Sequence, residues 1–174
     1  MARNPRSIFF LLSALLMGCG DGNDDQSGNL AAVEEVDSFG ICQMLTDAQV
    51  ASVLPEHDGG EVVHSGGSLM EGVDSYQCSY TSEANGGYKV FTVVVSVAST
   101  PELLSRIRPS NFLYGEDDRP DIADGAFIND KMDDEMDITV IKGLNKIDMD
   151  LLSGDAQSKR QQMIELATIV AAKL

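Results

Sequence analysis

The 174-residue chain reads as an α+β protein: a two-layer sandwich of a mainly antiparallel sheet with helices, in the rough order α-β-β-β-α-β-β-β-α. Three observations predict this. Runs of period-two alternation are separated by Asn and Gly turn signals, the pattern of antiparallel hairpins. Two helix starts, Thr46-Asp47-Ala48-Gln49 and Thr100-Pro101-Glu102, interrupt those runs. A closing stripe of Met163, Leu166, Ala167, Val170 and Leu174 has the three-and-four spacing of a single helix face.

Thr46 and Gln49 have capping-box spacing, in which each side chain satisfies the other residue's unpaired backbone donor. Leu45 and Val50 can form the hydrophobic staple across it, so a short helix is expected from Asp47 to Leu54, buried through Val50, Val53 and Leu54 and stopped by Pro55. Glu61–His64, Ser75–Thr81 and Tyr88–Ala98 then read as strands, the last two joined through Asn85-Gly86-Gly87. In the third strand both alternating faces are largely apolar, which predicts a central position with at least one face under helices. Thr100 as N-cap, Pro101 in the first helical position and Glu102 in the first turn open a second helix, which ends near Arg108 because Pro109 follows. Ala126–Ile128 is expected as a short strand. Met136–Lys142 and Lys146–Leu152 are expected as a hairpin around Gly143-Leu144-Asn145, with Asp155 opening the closing helix.

Charge narrows the function. With 12 Lys and Arg against 28 Asp and Glu, the formal net charge is −16, and no local basic patch offsets it. Nucleic acid is excluded as a partner, because phosphates are bound by neutralising them with cations. The 43% hydrophobic content argues against wholesale disorder.

Residues 1–18 read as a signal peptide. Arg3 and Arg6 precede an apolar run from Ile8 to Met17 that is too short to span a bilayer. Leu16-Met17-Gly18-Cys19 resembles the bacterial lipobox, with Met17 larger than the usual residue there; the resemblance implies acylation of Cys19 and cleavage before it. Acyl chains on Cys19 then supply the membrane partner, and more than one chain makes a stable anchor. Loss of Arg3 and Arg6 takes the basic count from 12 to 10 and the net charge from −16 to −18. Residues 19–38 form the lipidated cysteine and an acidic flexible linker with a reach of about 24 Å. Residues 39–174 form one α+β domain. Gly20, rather than an aspartate, follows Cys19, which by resemblance to a bacterial sorting rule favours the outer membrane, facing the periplasm or the cell surface.

Three cysteines are an odd number for an exported chain. Lipidation of Cys19 leaves Cys42 and Cys78 as the possible disulfide pair, in a compartment where a disulfide persists. The competing reading, a catalytic thiol, needs a partnered histidine, and neither His57 nor His64 lies in a nucleophile motif.

Cys42-Gln43-Met44-Leu45-Thr46, Cys78-Ser79-Tyr80 ahead of a hairpin, Ile122-Ala123-Asp124-Gly125-Ala126-Phe127 and the Leu- and Ala-rich terminal helix together resemble a group of small secreted bacterial lipoproteins of actinobacterial type, over roughly residues 40–174. The group's domain carries no assigned function. The resemblance implies an α+β domain, a bond between the first two cysteines of that domain and no active site to carry over.

No serine elbow, zinc-binding His-Glu-x-x-His helix, phosphate loop or dinucleotide turn occurs. His64-Ser65-Gly66-Gly67-Ser68 is the nearest thing to a catalytic loop, and it reads as a glycine-rich connection; His57 reads as a solvated loop residue. The expected function is therefore non-catalytic, without catalytic residues or cofactor: a lipid-anchored envelope protein whose domain binds another envelope component. The alternative is a small-ligand or divalent-cation-binding module. A hydrolase assembled from Ser65, Ser68, His57 and His64 ranks third.

One segment stands out. Glu116, Asp117, Asp118, Asp121, Asp124, Asp130, Asp133, Asp134, Glu135 and Asp137 face only Arg119 and Lys131 in sequence, and form a candidate acidic dock for a basic partner. No calcium-loop spacing is present, and charged solvated edges that block strand pairing are the plainer reading.

Overall fold

The computed structural model describes residues 39–83, 87–108 and 117–174. The signal peptide, Cys19, the linker, most of the Asn85-Gly86-Gly87 turn and Glu116 lie outside the described residues. So do the side chains of Ser68, Leu69, Asp117, Asp118 and Lys131.

The fold is α+β. After a 3-10 turn at Ile41–Gln43 come α1 (Asp47–Val50), β1 (Gly60–Met70), β2 (Val73–Ser82), β3 (Lys89–Ala98) and α2 (Pro101–Ile107). Then follow β4 (Asp117–Asp118), β5 (Ala126–Met132), β6 (Glu135–Lys142), β7 (Asn145–Leu152), a 3-10 turn at Ala156–Lys159 and α3 (Arg160–Lys173). The strands make one sheet in the order β1-β2-β3-β7-β6-β5-β4, and every pairing is antiparallel. β3 lies in the interior, between β2 and β7, as its two apolar faces require.

Both helix starts are capped as their sequences dictate. Gln49 N–H donates to Thr46 Oγ1 at 3.3 Å and Thr46 N–H to Gln49 Oε1 at 2.8 Å. Leu103 N–H donates to Thr100 Oγ1 at 3.3 Å, with Pro101 in the first turn. α1 is shorter than expected, ending at Val50; Val53 and Leu54 stay buried because hydrogen bonds back to the Val50 carbonyl carry the chain round in turns. α3 begins at Arg160 rather than near Asp155, after the tighter 3-10 turn.

The largest departure is β1. The glycine-rich stretch expected as a loop lies inside an 11-residue edge strand. Register shifts between Val62 and His64 and between Ser65 and Ser68 absorb the extra residues, and Gly66 and Gly67 take the positive φ values, 87° and 108°, that such bulges demand. β5 likewise runs to Met132, beyond the expected three residues, and a two-residue β4 pairs with it.

Register sorts the side chains into two faces. Cys78, Phe91, Val93, Met149, Ile138 and Ile128 share the first face and pack against Leu45, Val50, Met163, Leu166 and Val170 in the main core. Phe127, one residue out of phase with Ile128, points to the second face, and the Arg108 guanidinium lies 5.2 Å from its ring centroid. The C-terminal end of α2 thus reaches the second face, so the helices are not confined to one side of the sheet. The Cys42–Cys78 disulfide ties the turn at the start of the domain to β2 across a sequence separation of 36.

Candidate functional site

Among the described residues, the acids from Asp121 to Asp137 do not gather in one patch. Asp121 is exposed and forms a bidentate pair with Arg119, at 2.8 Å to Nε and 2.7 Å to Nη2; the neighbouring guanidinium holds its carboxyl below the usual range. Asp124 accepts from the Gly143 N–H at 2.6 Å, bracing the β6–β7 turn. Asp130 pairs with Arg160 Nε of α3 at 2.9 Å. Asp133 and Asp134 form the exposed β5–β6 turn. β6 separates the Asp124 end from the Asp134 end by about 24 Å at 3.4 Å per residue. Glu135 and Asp137 remain, half-buried on the second face of the sheet.

On that face they meet residues absent from the sequence-based candidates. Asp137 stands opposite Asp150 of β7, and Asp148 is the next residue on the same face of that strand. The row through Asp150 reads Ser79, Thr92, Asp150, Asp137, Asn129 from β2 to β5. Asn129 Nδ2 donates to Asp137 Oδ2 at 3.2 Å. Asp148 accepts from Thr139 Oγ1 at 2.7 Å and pairs with Lys146 Nζ at 2.8 Å. Two carboxyls placed directly opposite repel when both are ionised. Burial, with the charges of Asp137, Asp148 and Glu135, pushes Asp150 up from 3.8 to about 7, and Asp137 also shares a hydrogen bond with it. Asp150 therefore retains its proton toward neutrality, and the protonated carboxyl donates to Asp137.

Among the described residues no three His, Cys, Asp or Glu side chains converge as a metal-holding group. Of the candidate hydrolase residues, His64 and Ser65 point away from each other, and the Ser68 side chain lies outside the described residues. His64 lies opposite Gln77 and Ser65 opposite Tyr76, on alternate faces of β1, and His64 Nε2 is 3.5 Å from the Gly67 carbonyl. His57 is half-buried rather than a freely solvated loop residue. Its Nδ1 accepts from Gly59 N–H at 3.2 Å, leaving the proton on Nε2, which donates to the Asp47 carbonyl at 3.2 Å. The ring meets Tyr80 edge-on at 5.6 Å.

Two of the clefts among the described residues bear on binding. One, of about 310 Å³, is lined by Asp58, Glu61, Val63, Ser79, Thr81 and Tyr88 at the β1 edge of the second face. Asp58 is held there by Thr81, whose hydroxyl donates at 2.8 Å and lowers the carboxyl below its ordinary range. The other, of about 510 Å³, lies between α3 and the Arg119–Ile122 turn, over Ile122, Ile164 and Ile169. Among the described residues no helix is long and apolar enough to cross a membrane. No protein-family model, curated protein or solved structure matches the chain.

Proposed function

We propose that this chain is a lipid-anchored protein of the bacterial cell envelope, held to a membrane by acyl chains on Cys19, whose domain binds another envelope component without catalysis. One observation carries the reading. Cys42 is bonded to Cys78, so Cys19 is the cysteine left over, and it stands directly behind the basic start and apolar run of an export signal. A disulfide in so small a domain suits an oxidising compartment outside the cytoplasm. The domain architecture in this reading is a two-layer sandwich in helix, three-strand, helix, three-strand, helix order. α1 and α3 form the helix layer, α2 closes one end of the second face, and β4 is a short addition.

Cys19→Ser tests the anchor. The native chain is expected in the detergent phase on partitioning and the variant in the aqueous phase; unchanged partitioning refutes lipidation. In-cell crosslinking of the native chain, with the same variant as control, tests the partner, which is expected to be recurrent and lost in the control. The cleft beside α3 favours a second reading, a small-ligand module, because its floor of Ile122, Ile164 and Ile169 is apolar and its rim polar. Recurrent crosslinks to protein count against that reading.

A further inference from the structure

Three of the five large apolar side chains exposed among the described residues stand at one end of the second sheet face, Tyr88, Met132 and Leu152, between 43% and 64% exposed, and Val63 lies further along β1, level with Cys78 and Gln77. Register brings Leu152 and Met132 together. Val90, Leu152, Glu135 and Met132 form one row across β3, β7, β6 and β5, next to the row that holds Asp150 and Asp137. Tyr88 borders the same end, and the β1-edge cleft joins it to Val63. The opposite end of this face is closed, since Val73, Ala98 and Ile141 are buried there and Leu103 of α2 packs against the β1–β2 turn.

We propose that this open end of the second sheet face is a docking surface for an amphipathic protein segment bearing lysine or arginine. The proposal rests on the binding role assigned above and names its surface and its partner. Scattered apolar residues need no explanation, but three on one end of one face, with Val63 on the adjoining cleft, make a contact surface. The carboxylates beside them set the partner's sign. Glu135, Asp137 and Asp150 form no ion pair among the described residues, while Lys146 is taken by Asp148 and Arg108 lies over Phe127. A cation arriving between Asp137 and Asp150 offsets the repulsion between these facing carboxyls. A second copy of the chain is a poor occupant, because it sets its own carboxylate row against this one. The chain's residues 19–38 are equally poor, with six acids and no Lys or Arg.

The test uses the full-length lipidated chain in non-ionic detergent, titrated with two fluorescent synthetic peptides. One is an amphipathic leucine–lysine sequence long enough to cross the face, and the other its leucine–glutamate counterpart. The leucine–lysine peptide is expected to bind and the leucine–glutamate peptide not. Leu152→Ser with Met132→Ser is expected to weaken binding roughly tenfold, as is Asp137→Asn with Asp150→Asn. Leu144→Ser, at the far turn, is expected to change nothing. Equal affinity for the native chain and the Leu152→Ser, Met132→Ser variant overturns the proposal, since overall charge alone then explains binding. Self-association that this variant abolishes overturns it in favour of a second copy. Partitioning of Cys19→Ser in parallel separates the two claims: failed docking with normal release from the detergent phase sinks the surface alone, and unchanged partitioning sinks the anchor alone.

Discussion

Replacing Asp150 by asparagine is expected to stabilise the domain, by more at pH 8 than at pH 5. Asp150 binds its proton more tightly in the folded chain, where burial and the facing charges of Asp137, Asp148 and Glu135 raise it from 3.8 to about 7. The folded state therefore holds more protons than the unfolded state between those values. The stability tied to this group is complete below pH 3.8 and is lost as the pH rises through about 7. At 1.36 kcal/mol per pH unit, the native chain forfeits on the order of 4 kcal/mol across this window. Asparagine keeps the volume and can donate to Asp137 as the protonated acid does, without ionising. Lys146, the nearest cation on β7, remains occupied by Asp148 in both proteins. The assay is urea unfolding followed by far-UV circular dichroism at pH 5, 6, 7 and 8, since the chain lacks tryptophan. The variant is expected to exceed the native chain by about 1.6 kcal/mol at pH 5, where the native acid is already above its unfolded value of 3.8, and by about 4 kcal/mol at pH 8. Parallel profiles for the two proteins would refute the retained proton.

Three further outcomes are expected. Reducing the Cys42–Cys78 bond, or replacing both cysteines by serine, should cost about 4 kcal/mol from the loop it closes, read as a lower urea midpoint. Gly60→Ala should cost about 1 to 3 kcal/mol, because the new Cβ lands 2.7 Å from the Tyr80 ring and 2.9 Å from Cys78 Sγ; a melting temperature equal to the native value would show that the β1 start yields freely. Ser153→Ala should raise the Asp155 pKa, which the Ser153 hydroxyl holds below the ordinary value, so the stability associated with Asp155 should be lost at a higher pH on acidification; an NMR carboxyl titration that leaves Asp155 in place would refute the bond.

What was legible in the sequence was local. Thr46 and Thr100 announce their helices because a cap needs only residues three apart, and the Met163-to-Val170 stripe shows its buried face for the same reason. The β1 edge was hidden because Gly66 and Gly67 look like a turn, whereas here their positive φ values serve bulges that stay within the ladder. The second-face carboxylates were hidden by a single residue of register. A three-residue turn at Gly143-Leu144-Asn145 would set Lys142 against Lys146 and Asp137 against Leu151. The actual two-residue turn, with Gly143 at φ 59°, sets Lys142 against Asn145 and Asp137 against Asp150. Alternation alone decides between them, because only the second register puts Ile138, Val140, Ile147 and Met149 on one buried face. The acidic run from Glu116 to Asp137 is conspicuous in sequence, but its described members from Asp121 to Asp137 are spread over both ends of β6, since charge density along a chain carries no information about which strand turns where.

The Cys42–Cys78 bond also decides how the domain would carry a mechanical load. A pull on the chain ahead of Phe39 reaches Cys42 and passes through sulfur directly into β2, a strand hydrogen-bonded on both edges by β1 and β3. Residues 43–77, with α1 and the whole of β1, lie in a covalently closed loop that bears none of that tension. The edge strand most easily peeled from the sheet is thereby removed from the line of force.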